Sequence, residues 1–233
     1  MKVVVIPDVH LKAWLFDRAE EVLAAGGADA AVCLMDLPDD WEMEMRVDLY
    51  RMTFDRAISF AKAHPETRWC YGNHDVSYPW GRLETGYSPY AERTVMEKLS
   101  ELESVLPEPG RIAIIHRIDN VLFMHGGLSA RAVRMLGRDL PKADIDTVIA
   151  AVNSASQDYL WNEESPLWLR PQQMNRKMFR TDRYKQVVGH TPVDLIYEKA
   201  GVISTDTFSR YRPGEQALLV IDTESGEFEK IKV

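Results

Sequence analysis

Residues 1–10, MKVVVIPDVH, decide how the rest of the chain is read. Val3 to Ile6 is a short apolar run that reads as a strand, Pro7 closes it, and Asp8 and His10 follow directly. Behind it, Leu15, Ala19, Val22 and Leu23 recur on one helical face that ends at Gly26 and Gly27. The same unit then repeats in kind. Ala30 to Leu34 is the next expected strand, Trp41 to Ala63 a long helical region stopped by His64 and Pro65, and Arg68 to Tyr71 a further strand. The first third therefore alternates β and α.

Further along, Val76 to Tyr90 is rich in Gly, Pro, Ser and Tyr and is expected to be irregular, while Ala91 to Leu106 is helical again. Ile112 to Ile115 and Val121 to Met124 are expected to form a hairpin around Asp119 and Asn120. Helices are expected over Ala130 to Leu136 and Ile145 to Val152. Gln186 to Val188, Gly201 to Ser204, Ala217 to Ile221 and Phe228 to Ile231 are short strand candidates. With no repeat or linker in 233 residues, one domain over 1–233 is the working organisation.

Composition narrows the function classes. Hydrophobic residues make up 45% and charged residues 27%, which excludes a disordered or collagenous chain. No apolar run is long enough to span a membrane, and nothing at the N-terminus reads as an export signal. The formal net charge of −8 disfavours broad attraction to nucleic acid or anionic lipid, so an anionic substrate needs a local site. Cys33 and Cys70 each end an apolar run and read as buried thiols in a reducing, cytoplasmic setting.

Metal-binding side chains gather where strands end. Val3 to Ile6 leads to Asp8 and His10, Ala30 to Leu34 to Asp36 and Asp39, and Arg68 to Tyr71 to Asn73, His74 and Asp75. Val121 to Met124 leads to His125, and Gln186 to Val188 leads to His190. Ligand sites in open α/β sheets form outside the carboxyl ends of strands, so these five ends are expected to converge on one crevice. An imidazole, carboxylate and amide set without thiolate suits Mn, Fe or Zn better than a Cys-rich structural zinc site. Taken singly, each feature has a plainer reading. Asp8 and His10 alone match a pattern that arises by chance, and Asp39 stands in capping-box register with Glu42 before the helix expected from Trp41. His64 and His116 lie in no motif and read as structural or exposed.

In order, Asp8-Val9-His10, Met35-Asp36-Leu37-Pro38-Asp39-Asp40, Gly72-Asn73-His74-Asp75, His125-Gly126-Gly127 and Gly189-His190 resemble the motif series of the calcineurin-like metallophosphoesterases. HGGLSA at 125–130, VVGHTP at 187–192 and STDTF at 204–208 are similar to the phosphoprotein phosphatase branch, which holds bacterial serine/threonine phosphatases and symmetrical diadenosine tetraphosphate hydrolases. The resemblance implies an α/β fold, a four-layer α/β/β/α sandwich of two mixed sheets flanked by helices. It implies two divalent transition-metal ions, manganese first and iron or zinc next, one on Asp8, His10 and Asp36 and the other on Asp36, Asn73, His125 and His190. It gives His74 the part of general acid and Asp39 that of its orienting carboxylate, with Arg170 and Asn73 at the substrate phosphate.

The reaction so implied is attack by hydroxide held on the metals, with His74 protonating the departing oxygen. The expected substrates are phosphate monoesters, including phosphorylated proteins of the serine/threonine type. Alternatives are dinucleoside polyphosphates or other nucleotide phosphates and, from another class, a metal-binding scaffold without catalysis. A cysteine-phosphatase reading fails because Asp39 and Val76, not arginines, stand six residues after Cys33 and Cys70. Two positions depart from the pattern. Met35 replaces the Gly before the shared carboxylate, and Asp40 replaces the Arg that grips phosphate. Between Arg170 and Lys185, Arg176, Lys177, Arg180 and Arg183 form a basic segment, either a draw for phosphorylated substrates or a solvated face.

Overall fold

The computed structural model describes residues 1–108 and 110–233. Its first half runs β1 (Lys2–Ile6), α1 (Trp14–Ala24), β2 (Ala30–Cys33), α2 (Val47–Ala63), β3 (Arg68–Cys70), α3 (Asn73–Ser77), α4 (Glu92–Val105) and β4 (Ile112–Ala113). The second runs β5 (Ile115–Ile118), β6 (Val121–Met124), α5 (Ala130–Leu136), α6 (Ile145–Asn153), α7 (Gln157–Leu160), β7 (Lys185–Val188), β8 (Tyr197–Lys199), β9 (Val202–Ser204), β10 (Ala217–Asp222) and β11 (Phe228–Lys232).

Two mixed sheets result. The first has the order β11-β10-β1-β2-β3-β4, with β1 to β4 parallel and β10 and β11 antiparallel at one side. The second has the order β5-β6-β7-β9-β8, with β6, β7 and β9 parallel and an antiparallel strand on each flank. Strand alternation explains the layering. Val3 and Val5 of β1 face Phe123, Val187 and Ile203 of the other sheet, while Val4 and Ile6 face Leu15, Phe16, Phe54 and Phe60 of the helices outside. A third cluster places α5 and α6 against the outer face of the second sheet through Leu122, Met124, Ala132, Val133, Val148 and Val152. The four-layer sandwich is therefore present, and because both faces of the central strands are covered, they read as apolar runs rather than alternating ones.

Two expected elements are corrected. The helix expected from Trp41 begins only at Val47, since residues 41–46 make turns and Glu42 has φ +66°. The hairpin exists, but its strands are Ile115–Ile118 and Val121–Met124, and Ile112–Ala113 instead pairs with Trp69 and Cys70 in the first sheet. Ile114 is the crossing point, and a single apolar run over two sheets shows no break in sequence. His116 is structural, as expected: it is buried and its Nε2 donates to the Trp69 carbonyl at 3.0 Å, tying the sheets together. Both cysteines are buried and, among the described residues, unbridged. No described helix is long and apolar enough to cross a membrane.

Candidate metal centre

The parallel strands of both sheets end on the same edge, and their following loops carry Asp8, His10, Asp36, Asn73, His125 and His190 into one buried cluster. Beyond the strands, the loops continue the ladder: the amides of Val9, His10 and Leu11 donate to the carbonyls of Met35, Asp36 and Leu37 at 2.9, 2.7 and 3.1 Å. Turning side chains inward needs unusual backbone. His10, Met35, Asp36, Asp39 and His190 all have positive φ, between +41° and +64°. Left-handed conformations cost a non-glycine residue about 1–2 kcal/mol each, so the surroundings must hold them. Asp75 does so from beneath, where its carboxylate accepts from the amides of Asp36, Leu37 and Gly72 at 2.8 to 2.9 Å.

Met35 now has a physical account. It keeps the left-handed conformation that a glycine adopts freely, at φ +56°, and sends its side chain, fully buried, into the helix-side core. Two glycines cannot be replaced. A Cβ on Gly72 would stand 2.0 Å from Asp36 Oδ1, and one on Gly189 would stand 1.8 Å from Asp8 Oδ1.

Donor atoms fall into two sets that share one residue. Asp8, His10 and Asp36 form one group with their ligand atoms within 4.8 Å of one another, and Asp36, His125 and His190 form the other. Asp36 Oδ2 lies 3.1 Å from His125 Nε2 and 3.7 Å from His10 Nε2. Asn73 Oδ1 lies 3.0 Å from His125 Nε2, adding an amide oxygen to the second set. His10 Nδ1 donates to the Asp39 carbonyl at 2.7 Å and His125 Nδ1 to that of Leu34 at 3.2 Å, which leaves Nε2 of each ring turned to the cluster. Asp8 Oδ1 and His190 Nε2 are buried without a partner among the described residues. Buried polar atoms are normally satisfied, so this donor set fits divalent cations that take nitrogen and oxygen ligands.

Burial and neighbouring charge act together on the cluster. Burial pushes Asp8 up to about 6 and His10 down to about 3. His125 is raised to about 9, because the carboxylates of Asp36 and Asp8 outweigh a burial that opposes its charge. Asp36, although burial resists its ionisation, is held below the usual carboxylate range by His125 and His74. The carboxylates thus favour positive charge at His125, while burial keeps His10 and His190 uncharged.

His74 sits beside this cluster rather than in it. Its amide donates to Asp36 Oδ1 at 2.9 Å, and its Nδ1 donates to Asp39 Oδ2 at 2.9 Å. Burial lowers its basicity, but Asp36 and Asp39 prevail and bring it to about 9. Asp39, fully buried, also accepts from Tyr50 Oη at 3.1 Å and Tyr78 Oη at 2.6 Å. The capping role considered for Asp39 is absent, since its side chain is spent on these three groups and the helix starts eight residues later.

Over the cluster opens a cleft of about 370 Å3, whose lining includes His10, Asp36, Asn73, His74, His190 and Arg170. Arg170 is held there by donation from Nη1 to the His190 carbonyl at 2.5 Å. The model of the calcineurin-like phosphoesterase family matches residues 1–221. The chain belongs to that family. It is accordingly a metal-dependent phosphoester hydrolase, and the family's dinuclear chemistry has a matching pair of donor sets here. No curated protein matches the chain. Among solved structures, the cold-active protein-tyrosine phosphatase of a psychrophilic Shewanella superposes with a TM-score of 0.62 at 19% identity, covering 99% of this chain and 80% of that one. A further structure of a cold-active protein tyrosine phosphatase gives 0.53 at 17% identity, covering 98% and 78%. A metallophosphoesterase from Sphaerobacter thermophilus gives 0.47 at 17%, covering 100% and 88%. At such identities the likeness is one of fold.

The phosphoesterase departs from expectation at the rim. Asp40 is buried and paired with Lys12 Nζ at 3.3 Å, and Lys12 also donates to the His10 carbonyl at 3.0 Å. Asp40 is not among the cleft-lining residues. Arg176 is paired with Glu164, and Arg180 donates to the carbonyls of Pro141 and Ala143, so half of the basic segment braces the fold. Residues that sequence reasoning left without a role include Asp75, Tyr50, Tyr78, Trp41, Asp206 and Tyr211. Asp75 and Asp206 carried a signal, the first as the last residue of the GNHD motif and the second inside STDTF. The tyrosines come from a helix and an irregular loop, with no spacing to mark them.

Proposed function

We propose that this protein hydrolyses phosphate monoesters in the manner of the serine/threonine protein phosphatases, with phosphorylated protein or a small phosphate ester as substrate. Asp8, His10 and Asp36 would hold one cation, and Asp36, Asn73, His125 and His190 the other, with manganese the first candidate. Bound there, divalent cations supply Lewis acidity to phosphoryl oxygens and lower the pKa of water. His74 is the residue that carries the reading: its Nδ1 is committed to Asp39, so its Nε2 holds the proton offered to the cleft. Water gives its oxygen to phosphorus, the ester P–O bond breaks with its electron pair on the leaving oxygen, and that oxygen takes the His74 proton; one proton of the water stays on the phosphate and the other restores His74 through solvent. The products are inorganic phosphate and the free alcohol.

Asp39 holds the imidazole in one tautomer and favours its charged form, and Tyr50 and Tyr78 keep Asp39 an acceptor. Arg170 offers its guanidinium, and Asn73 its amide, to phosphoryl oxygens. The cleft of about 370 Å3 lies near the lower end of the usual range for ligand sites, about 300–1,000 Å3, which favours one phosphorylated side chain over a dinucleoside polyphosphate. We place the protein in the cytoplasm, consistent with two unbridged buried thiols, and treat residues 1–233 as one domain because the sheets share a core. The Shewanella neighbour is a protein-tyrosine phosphatase, so phosphotyrosine belongs beside phosphoserine in the assay. Manganese-loaded protein is expected to release phosphate from phosphopeptides and p-nitrophenyl phosphate faster than it cleaves diadenosine tetraphosphate. Faster cleavage of the dinucleotide would reverse the order of the two readings.

A further inference from the structure

The cleft wall beside His74 is aromatic. Trp41, half-buried on the loop that follows Asp39 and Asp40, has its ring centroid 5.7 Å from that of His74 and 5.5 Å from that of His10. Its indole is backed by Gly86, where a Cβ would stand 3.7 Å from Cε2 and 3.8 Å from Nε1. Tyr211, from the other side of the cleft mouth, meets it at 5.8 Å and 72°, so the two rings form a corner. Glu42 and Arg210, next to these rings in sequence, are joined at 2.9 Å and hold the two loops together. Tyr211 is nevertheless 61% exposed, a large aromatic surface that the fold does not use.

We infer that Trp41 and Tyr211 determine specificity for a planar aromatic leaving group, making aryl phosphates the favoured substrate class. The inference rests on the phosphomonoesterase reading above and, within it, moves the preferred ester from the alkyl oxygen of serine or threonine to an aryl oxygen; its geometry follows from the place of the acid. The departing oxygen must reach His74, so whatever that oxygen carries lies where the indole begins. A ring there stacks on one face of the corner and meets the edge of the other, whereas a short alkyl chain covers little of either. Water adds to phosphorus, the aryl P–O bond breaks, and the phenolic oxygen takes the proton from His74.

Two measurements test this on the full chain loaded with manganese. The first is calorimetric binding of benzylphosphonate and ethylphosphonate, which hold the phosphoryl group and the side group but are not hydrolysed. The second is kcat/KM on phenyl phosphate and ethyl phosphate. Wild type is expected to bind benzylphosphonate about tenfold more tightly, and Trp41→Leu or Tyr211→Ser to reduce that advantage by about 3- to 10-fold. The aryl-to-alkyl ratio of kcat/KM should fall in parallel, and Tyr211→Phe should restore it. Tyr211→Ser changes an exposed side chain and keeps the test open should Trp41→Leu not fold. Equal binding of the two phosphonates by wild type, or ratios unmoved by either substitution while both esters are hydrolysed, would overturn the inference alone. Failure to hydrolyse both esters would overturn the phosphomonoesterase reading and the inference with it.

Discussion

On the cleft floor, Asp36 is held by the amide of His74 above and by Asp75 beneath, and it is almost wholly buried. On the rim, Tyr211 stands in solvent and leans on Trp41, while Arg212 beside it is paired to Asp194 at 2.8 and 2.9 Å. The floor is made of strand ends, where backbone hydrogen bonds set positions to fractions of an ångström and a single added carbon at Gly72 or Gly189 would collide with a carboxylate. The rim is made of loops tied by ion pairs that water can replace. The difference separates what the molecule does from what it acts on. On the proposed reading, chemistry belongs to the floor and the choice of substrate to the rim.

The largest separation is expected at His74. His74→Asn keeps the backbone donation to Asp36 and removes the proton, so turnover of an alkyl phosphate should fall by about 10² to 10⁴, with the metal content unchanged. The loss should be smaller for p-nitrophenyl phosphate, whose leaving group departs without a proton. Steady-state kinetics on both esters, with metal analysis of the same preparation, checks this. Equal losses on the two, or loss of metal, would make His74 part of the floor's scaffold rather than its acid.

A smaller effect is expected at Asp40, at the boundary between the two regions. Were Asp40 a phosphate-facing anion, Asp40→Arg would raise kcat/KM. Its pairing with Lys12, with side chains only 12% and 17% exposed, points the other way. Breaking a buried pair leaves one charge unmatched, so Asp40→Arg should lose about 3 kcal/mol of stability in urea and gain nothing on p-nitrophenyl phosphate. A tenfold rise in kcat/KM at unchanged stability would move Asp40 into the substrate site.

The same division governs what could be read from sequence. The floor's convergence was legible because each candidate donor follows a strand and strands announce themselves as apolar runs: Asp8, Asp36, Asn73, His125 and His190 lie together at the ends of those runs. The layering was implied by the motif series and realised through the alternation of residues such as Val3 and Val4. Legibility fails where local pattern and tertiary context part. Ile112 to Ile118 is one run in sequence and two sheets in space, and Trp41 to Arg46 has helical composition but turns to carry Trp41 to the cleft. Tyr50 and Tyr78 reach Asp39 only once α2 and the segment after α3 are packed. Asp40 looked like a defect at the phosphate site because its partner, Lys12, lies 28 residues earlier.

Asp36 is the residue common to both donor sets, so a pair of divalent cations on the floor would share its carboxylate. Electron paramagnetic resonance during manganese titration tests it directly, since two ions sharing a carboxylate couple magnetically and a lone ion does not. Uptake of two manganese ions per chain with the spectrum of a coupled pair is expected, and loss of that coupling in Asp36→Asn. Uptake of a single isolated ion, or a coupled pair that survives Asp36→Asn, would contradict it.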